Sequence, residues 1–372
     1  MLAPGHATPE GTARYRDCFA SRMPGHFREA QGLWVSSIGL GTYLGEPSAS
    51  FDALYHDTVK QAVSAGINVI DTAVNYRHQR SERVIGQALA EAFAQGVARR
   101  DEIVVATKGG FLTFDGEEPE DPSSYFEKTL LDPGIIRMDE VVAGCHVMSP
   151  KYLENQVDVS RQNLGLQTID IYYLHNPETQ LSQVSRDEFY RRLKAAFAAL
   201  EKAVTEGKIR IYGTATWNAY RVHPEAADAV SLAQVLRVAE EVGGKDHHFR
   251  AVQLPFNLAM PEALSASTQP LDGKAVPLLH VARTHGLMVF GSATLLQSKL
   301  TEGLPRQVQS WFPQLRTDAQ RAIQFARSAP GVTCALVGMS RQEHVTENLA
   351  TAVVPPLTLE EFRTLLRGET TP

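Results

Sequence analysis

Along residues 33 to 350 the chain repeats one pattern: a short, nearly continuous apolar run, then a stretch with helical spacing of apolar positions. "WVSSIGLGTY" precedes "FDALYHDTVKQAVSAG", "INVIDTA" precedes "SERVIGQALAEAFAQG", and "EIVVATK" leads to "SPKYLENQVDVSRQNLG". "IDIYYLH", "IRIYGTATW", "AVQLPFNLA", "LMVFGS" and "CALVGMS" each continue into a helical segment in the same way. The runs do not alternate between apolar and polar, as strands covered on both faces should not. Ser149-Pro150 reads as a helix start, and Gly165, Gly207 and Gly331 sit where helices should stop. Eight strand-then-helix units predict an α/β fold, a (β/α)8 TIM barrel, with functional groups at the C-terminal strand ends. No G-x-G-x-x-G follows any of the runs, which argues against the rival open sheet with a Rossmann site.

Two connections break the regularity. Some forty residues separate "ATKGG" from "SPKYL", and a second irregular stretch, "GSATLLQSKLTEGLPRQVQSWFPQLRT", follows the seventh run. Both are expected on the catalytic face as long loops after strands 3 and 7. Residues 1–32 read as an irregular leader, residues 33–372 as a single barrel domain, and "LTLEEFRTLL" as a short terminal helix.

Composition narrows the partners more than the fold. Lys plus Arg number 36 against 42 Asp plus Glu, a net charge of −6 without a basic stripe, so nucleic acid is not expected. Cys18, Cys145 and Cys334 match no zinc or redox spacing, no metal is expected, and no stretch reaches membrane-spanning length. The expected setting is cytoplasmic.

The strand ends carry the chemistry. Asp71, with Tyr76 just beyond it, Lys108 and His175 close the second, third and fourth apolar runs, so they should converge on one rim. A lysine beside an aspartate stays charged and pulls down the pKa of a nearby phenol. A phenol so placed exchanges a proton with a carbonyl or an alcohol, and a neutral imidazole orients the oxygen. Such a set polarises C=O but supplies no reductant. Arg77, His78 and Arg80 behind Tyr76 read as a solvated run or as a cationic rim for an anionic substrate. Cys145-His146 reads as a weak candidate for a nucleophilic pair.

"DTAVNY…SE", "ATK", "IDIYYLH", "VQLPFN" and "GMSRQEHVTENL" occur in an order that resembles the aldo-keto reductases over roughly residues 35 to 350. The resemblance implies NADP as cofactor, with NAD possible, held without a Rossmann unit. It implies a small carbonyl or alcohol substrate. Tyr76 would be the general acid, Asp71 and Lys108 its tuning pair, and His175 the orienting group. Gln253 and Thr216 would hold the nicotinamide carboxamide, with Ser292 nearby after the seventh strand. Ser340, Arg341 and His344 would face a 2′-phosphate, and Glu347 and Asn348 the adenine. The family's G-V-S-N after strand five reads "GTATWN" here, so Ala215 replaces the serine and leaves Thr216 to bond. Either Phe290 or Gly291 would take the place of a ring stacked on the nicotinamide. A regulatory cofactor-binding subunit, or a cofactor-assisted dehydration or epimerisation, are the alternatives to carbonyl reduction.

Overall fold

A computed structural model describes residues 2–367. Eight parallel strands close into a barrel: β1 (Ile38–Gly41), β2 (Val69–Asp71), β3 (Val104–Gly109), β4 (Ile169–His175), β5 (Ile209–Ala215), β6 (Phe249–Pro255), β7 (Met288–Ser292) and β8 (Cys334–Gly338). β8 pairs with β1 and closes the ring. Around it run α1 (Ala49–Ala65), α2 (Arg80–Ala94), α3 (Pro150–Leu164), α4 (Arg186–Thr205), α5 (Leu232–Gly243), α6 (Leu278–Thr284), α7 (Asp318–Ser328) and α8 (Gln342–Leu349). Each expected unit is present. Gly165, Gly207 and Gly331 take left-handed backbone (φ 64°, 70° and 97°), as stops after helices often do.

Because side chains alternate along a strand, one parity of each strand fills the barrel. Ala106, Ile171, Tyr173, Ala251, Met288 and Phe290 form that interior cluster. The opposite parity (Ile70, Val105, Tyr172, Leu174, Val252 and Leu254) packs under the helices in the larger core.

Residues 2–32 are not irregular throughout, as the sequence suggested, but hold a helix and a strand. Pro9–Phe19 is a helix capped by Thr8, and Phe27–Ala30 pairs antiparallel with Leu33–Ser36 through a turn at Gln31-Gly32. The hairpin therefore straddles the boundary expected at residue 32. Leu33 and Val35 plug the N-terminal end of the barrel, joining its interior cluster. The helix buries only Gly11, Thr12 and Tyr15, so it carries little apolar periodicity to read.

The long loops lie where expected, after β3 and β7. The first holds Pro122–Phe126, a one-turn π-helical segment and a cluster of its own around Leu130, Ile136, Val147 and Tyr152. The second holds Arg306–Trp311 over Leu300, Leu304 and Val308. No described helix is long and apolar enough to cross a membrane, and no described cluster of His, Cys, Asp or Glu suits a metal ion.

Candidate active site

Strand register explains why the rim residues meet. Asp71 lies opposite Ala106 and Lys108 opposite Tyr173, so Asp71, Lys108, Tyr173 and His175 all occupy the inward parity. Their shared face is the C-terminal mouth. Lys108 is fully buried. Its Nζ donates to Asp71 Oδ1 at 2.6 Å and to the Thr72 carbonyl at 2.7 Å. Asp71 Oδ2 accepts from Gln253 Nε2 at 2.7 Å. The ammonium stands 4.8 Å from the centre of the Tyr76 ring, with one N–H left over.

Burial works against the Lys108 charge, but Asp71 and Tyr76 outweigh it and raise its pKa. Burial raises the Tyr76 phenol above its usual 10, with Lys108 pulling it down and Asp71 pushing it up. The sequence reading, in which Lys108 lowers the phenol, names a real but secondary influence. At neutral pH Tyr76 carries its proton.

His175 lies edge-on to Tyr76, ring centres 5.9 Å apart. Burial, the Lys108 charge and His146 hold it well below 6.5, hence neutral. Its Nδ1 is buried without a partner. A bare acceptor nitrogen tolerates that better than an N–H, so the proton belongs on Nε2, the nitrogen left for the cavity.

One cavity of about 510 Å³ joins these groups. Asp71, Tyr76, His175, Thr216, Gln253 and Ser292 all line it, and Lys108 lies beneath. The walls add aromatic rings: Tyr43 (57 % exposed), Phe111 and Trp217 (46 % exposed). Tyr43 sits 5.1 Å from the Tyr76 ring. Tyr43 and Phe111 escaped the sequence reading, since a ring just past a strand end looks like any loop aromatic; the strand ends at Gly41 and Gly109 were their one signal.

Neither candidate for a stacking ring is available. Phe290 is fully buried, 6.2 Å from Tyr173 in the barrel interior, and a side chain at Gly291 would face Phe256 in the outer layer. Ser292, Ala293, Thr294 and Leu295 line the cavity there instead.

Residues expected around an adenosine lie outside the cavity lining. Ser340 precedes α8, Arg341 is its N-cap with no side-chain cap bond, and His344 is exposed on its first turn. Glu347 is half-buried and its carbonyl accepts from Gln320 Nε2. Asn348 is buried, turned into the fold.

Two other expectations fail. Arg77 is buried, its side chain 1 % exposed, and both Arg77 and Arg80 pair with Asp52 of α1. Arg77, His78 and Gln79 all take left-handed backbone, which turns the segment back against α1 and the third loop. Gln79 donates to the Phe114 carbonyl and His78 lies 5.3 Å from the Phe114 ring. The segment is thus a bolted turn, neither solvated run nor cationic rim. His146 is buried and neutral, its pKa pulled down to about 4 by burial. Its Nε2 donates to the His175 carbonyl at 2.7 Å and its Nδ1 accepts from Gln180 at 2.9 Å. Both ring nitrogens are taken, so none is left to activate Cys145.

Residues 37–238 match the model of the aldo/keto reductase family. An NADH-specific methylglyoxal reductase of Escherichia coli is 32 % identical over 192 residues, half of this chain and half of that protein's own length. A putative voltage-gated potassium channel subunit beta of Schizosaccharomyces pombe is 24 % identical across 88 % of this chain and 87 % of its own. Among solved structures, an aldo/keto reductase from Klebsiella pneumoniae in complex with NADP and acetate superposes with a TM-score of 0.62 at 21 % identity, covering 94 % of this chain and 96 % of that one.

Proposed function

The chain belongs to the aldo/keto reductase family, and from that premise we propose that it reduces a small aldehyde or ketone with a nicotinamide cofactor, Tyr76 giving the proton. The observation that carries this reading is the buried Lys108–Asp71 pair beneath a protonated Tyr76, with the neutral His175 beside them on one cavity.

The cavity suits the nicotinamide end of such a cofactor. Thr216 and Ser292 offer hydroxyls, while Gln253, whose amide nitrogen is held by Asp71, keeps its oxygen as an acceptor. Arg341 and the uncapped amides of α8 suit an anion such as the 2′-phosphate of NADP, flanked by Ser340 and His344. When bound, the cofactor supplies a hydride. Tyr76 donates its phenolic proton to the substrate oxygen as charge develops there. His175 Nε2–H donates a hydrogen bond to the same oxygen and orients it. The Lys108 ammonium, held by Asp71 and Thr72, faces the phenolate that remains. NADP is the cofactor we assign, since the NADP complex of the Klebsiella pneumoniae protein extends over nearly the whole chain.

A second reading is a cofactor-bound regulatory subunit, as the Schizosaccharomyces pombe relative is named a putative channel subunit. The complete proton-transfer set favours chemistry. Absorbance of the reduced cofactor during incubation with a carbonyl panel separates the two. Steady oxidation of NADPH, lost in Tyr76→Phe while NADPH still binds, supports the reductase; binding without oxidation supports the regulatory subunit.

A further inference from the structure

Three residues after His175, in the 3-10 turn Pro177–Ser182, stands a carboxylate with no part in the proton transfer. Glu178 is buried. Its Oε1 accepts the backbone N–H of Trp217 at 2.6 Å and of Asn218 at 3.3 Å, while Oε2 is buried without a partner. Burial pushes its pKa up to about 7, although those N–H groups pull the other way. A carboxylate kept in such a place is unfavourable in itself, so its position has to be explained by what it holds.

What it holds is the backbone beneath an exposed indole. The Trp217 carbonyl accepts from Arg221 Nε at 3.0 Å, and Arg221 is fixed in turn by Glu262 at 2.7 Å. Asn218 is tied to Asp228 at 2.9 Å. Trp217 is 46 % exposed and lines the cavity, so its position is set more by its main chain than by packing around the ring.

We propose that Glu178 is a positioning residue: it locks the loop after β5 to the end of β4 and so fixes the Trp217 indole as a wall for the flat face of an aromatic carbonyl substrate. This rests on the reading that the cavity takes a carbonyl beside Tyr76. The link acts on substrate binding, because the hydrogen bonds of Glu178 and Trp217 run to each other, Asn218 and Arg221 and not to the Tyr76–Lys108–Asp71 set. A carboxyl side chain is suited to the task by its reach, since one oxygen accepts from both the Trp217 and the Asn218 N–H.

The test uses the full chain with NADPH. Glu178→Ala is expected to raise KM for benzaldehyde about tenfold, with kcat within about twofold and KM for acetaldehyde within about twofold. Adding Glu178→Ala to Trp217→Ala should give no further loss, because the two act as one unit. Glu178→Gln, whose amide oxygen still accepts from Trp217, should restore KM to within about threefold of wild type. Glu178→Asp keeps the charge but withdraws it by roughly one C–C bond, ~1.5 Å, and should resemble alanine. It also serves if the alanine protein does not fold. A second readout needs no turnover: with Trp34 and Trp311 replaced by Phe, the anisotropy of Trp217 fluorescence should fall in Glu178→Asp and recover in Glu178→Gln. Additive losses, a drop confined to kcat, or unchanged KM and anisotropy in Glu178→Asp would each overturn the proposal. Failure of wild type to turn over any carbonyl would count against the reductase reading alone, since the anisotropy still decides the role of Glu178.

Discussion

β4 carries a buried ionisable residue near each end, and the two ends behave differently. Near its start Asp170 accepts from the Ala7 N–H at 2.7 Å, from Arg100 Nη2 at 2.8 Å and from the Val105 N–H at 2.9 Å. Arg100 also donates to the Ile103 and Thr168 carbonyls. Both oxygens of Asp170 are therefore occupied by the chain itself. At the other end His175 and Asn75 line the cavity: His175 keeps Nε2 free of protein partners, and the Asn75 Oδ1 beside Tyr76 is buried without one. Two buried ion pairs of similar length serve different ends: one closes the barrel floor, the other leaves valences facing a cavity. At these two ends the carboxylate satisfied by the chain holds the floor, and the groups left open line the cavity where a ligand would sit.

Removing one partner at each end should separate the two most strongly. Lys108→Met should lower kcat by about 10³-fold, since it removes the charge that faces the Tyr76 phenolate. Its loss of stability should be the smaller of the two, because burial already pushes the Asp71 pKa up and the freed carboxyl can take a proton. Asp170→Ala should do the reverse. It strands Arg100 and two backbone N–H groups, so denaturant unfolding should show a loss of roughly 3–5 kcal/mol with kcat per folded molecule nearly unchanged. If both substitutions cost activity and stability in the same ratio, the division between floor and mouth is not real.

Acid acts on the buried imidazoles more weakly, yet with a defined sign. Burial pulls His26 down to about 3 and His146 down to about 4, and holds His175 well below 6.5. Each therefore stays neutral in the fold at a pH where the unfolded chain takes up a proton. Stability from these groups is present above about pH 6.5 and is lost as pH falls toward about 4, by at most about 1.4 kcal/mol per unit for each. Glu178 acts oppositely: its raised pKa of about 7 means that the native carboxyl keeps a proton the unfolded chain releases, so its contribution falls as pH rises from 4.5 to about 7. The imidazoles, His247 among them, slope Tm downward from pH 7 to pH 5, and the raised carboxyls Asp71, Glu82 and Glu178 oppose them. His146→Gln, which keeps a donor for the His175 carbonyl, should flatten that slope; an unchanged slope would mean His146 is not neutral in the fold.

How far the sequence foretold this molecule depends on the range of the interaction. Barrel and rim were legible because strands and their last residues repeat locally: Asp71, Lys108 and His175 each end an apolar run, and strand parity then brings them together. What escaped depends on partners distant in the chain. Arg77 and Arg80 look like free charge until α1 brings Asp52 against them. Phe290 and Gly291 could not be told apart without the register against Gln253 and Cys334, where one residue of slip exchanges interior for exterior. The helix Pro9–Phe19 is polar on most of its surface, and Tyr15 anchors it through a bond to the Val63 carbonyl that no local pattern announces.

A weaker effect is expected at the rim just beyond β8, whose last residue, Gly338, lines the cavity. Ser340, Arg341 and His344 form an open edge before and along the first turn of α8, and no protein hydrogen bond caps that helix through its N-cap side chain. If the edge serves a 2′-phosphate, Arg341→Ala should weaken NADPH binding by about three- to tenfold and leave NADH binding within about twofold, read by fluorescence titration of each cofactor. The bonds of the Lys108–Asp71 pair run to Thr72 and Gln253 and not to this edge, so kcat at saturating NADPH should not move. Equal weakening for both cofactors would place Arg341 on a part they share, such as the pyrophosphate. No change for either would leave the open valences of α8 without a ligand, and the contrast drawn from the two ends of β4 would then hold only inside the barrel.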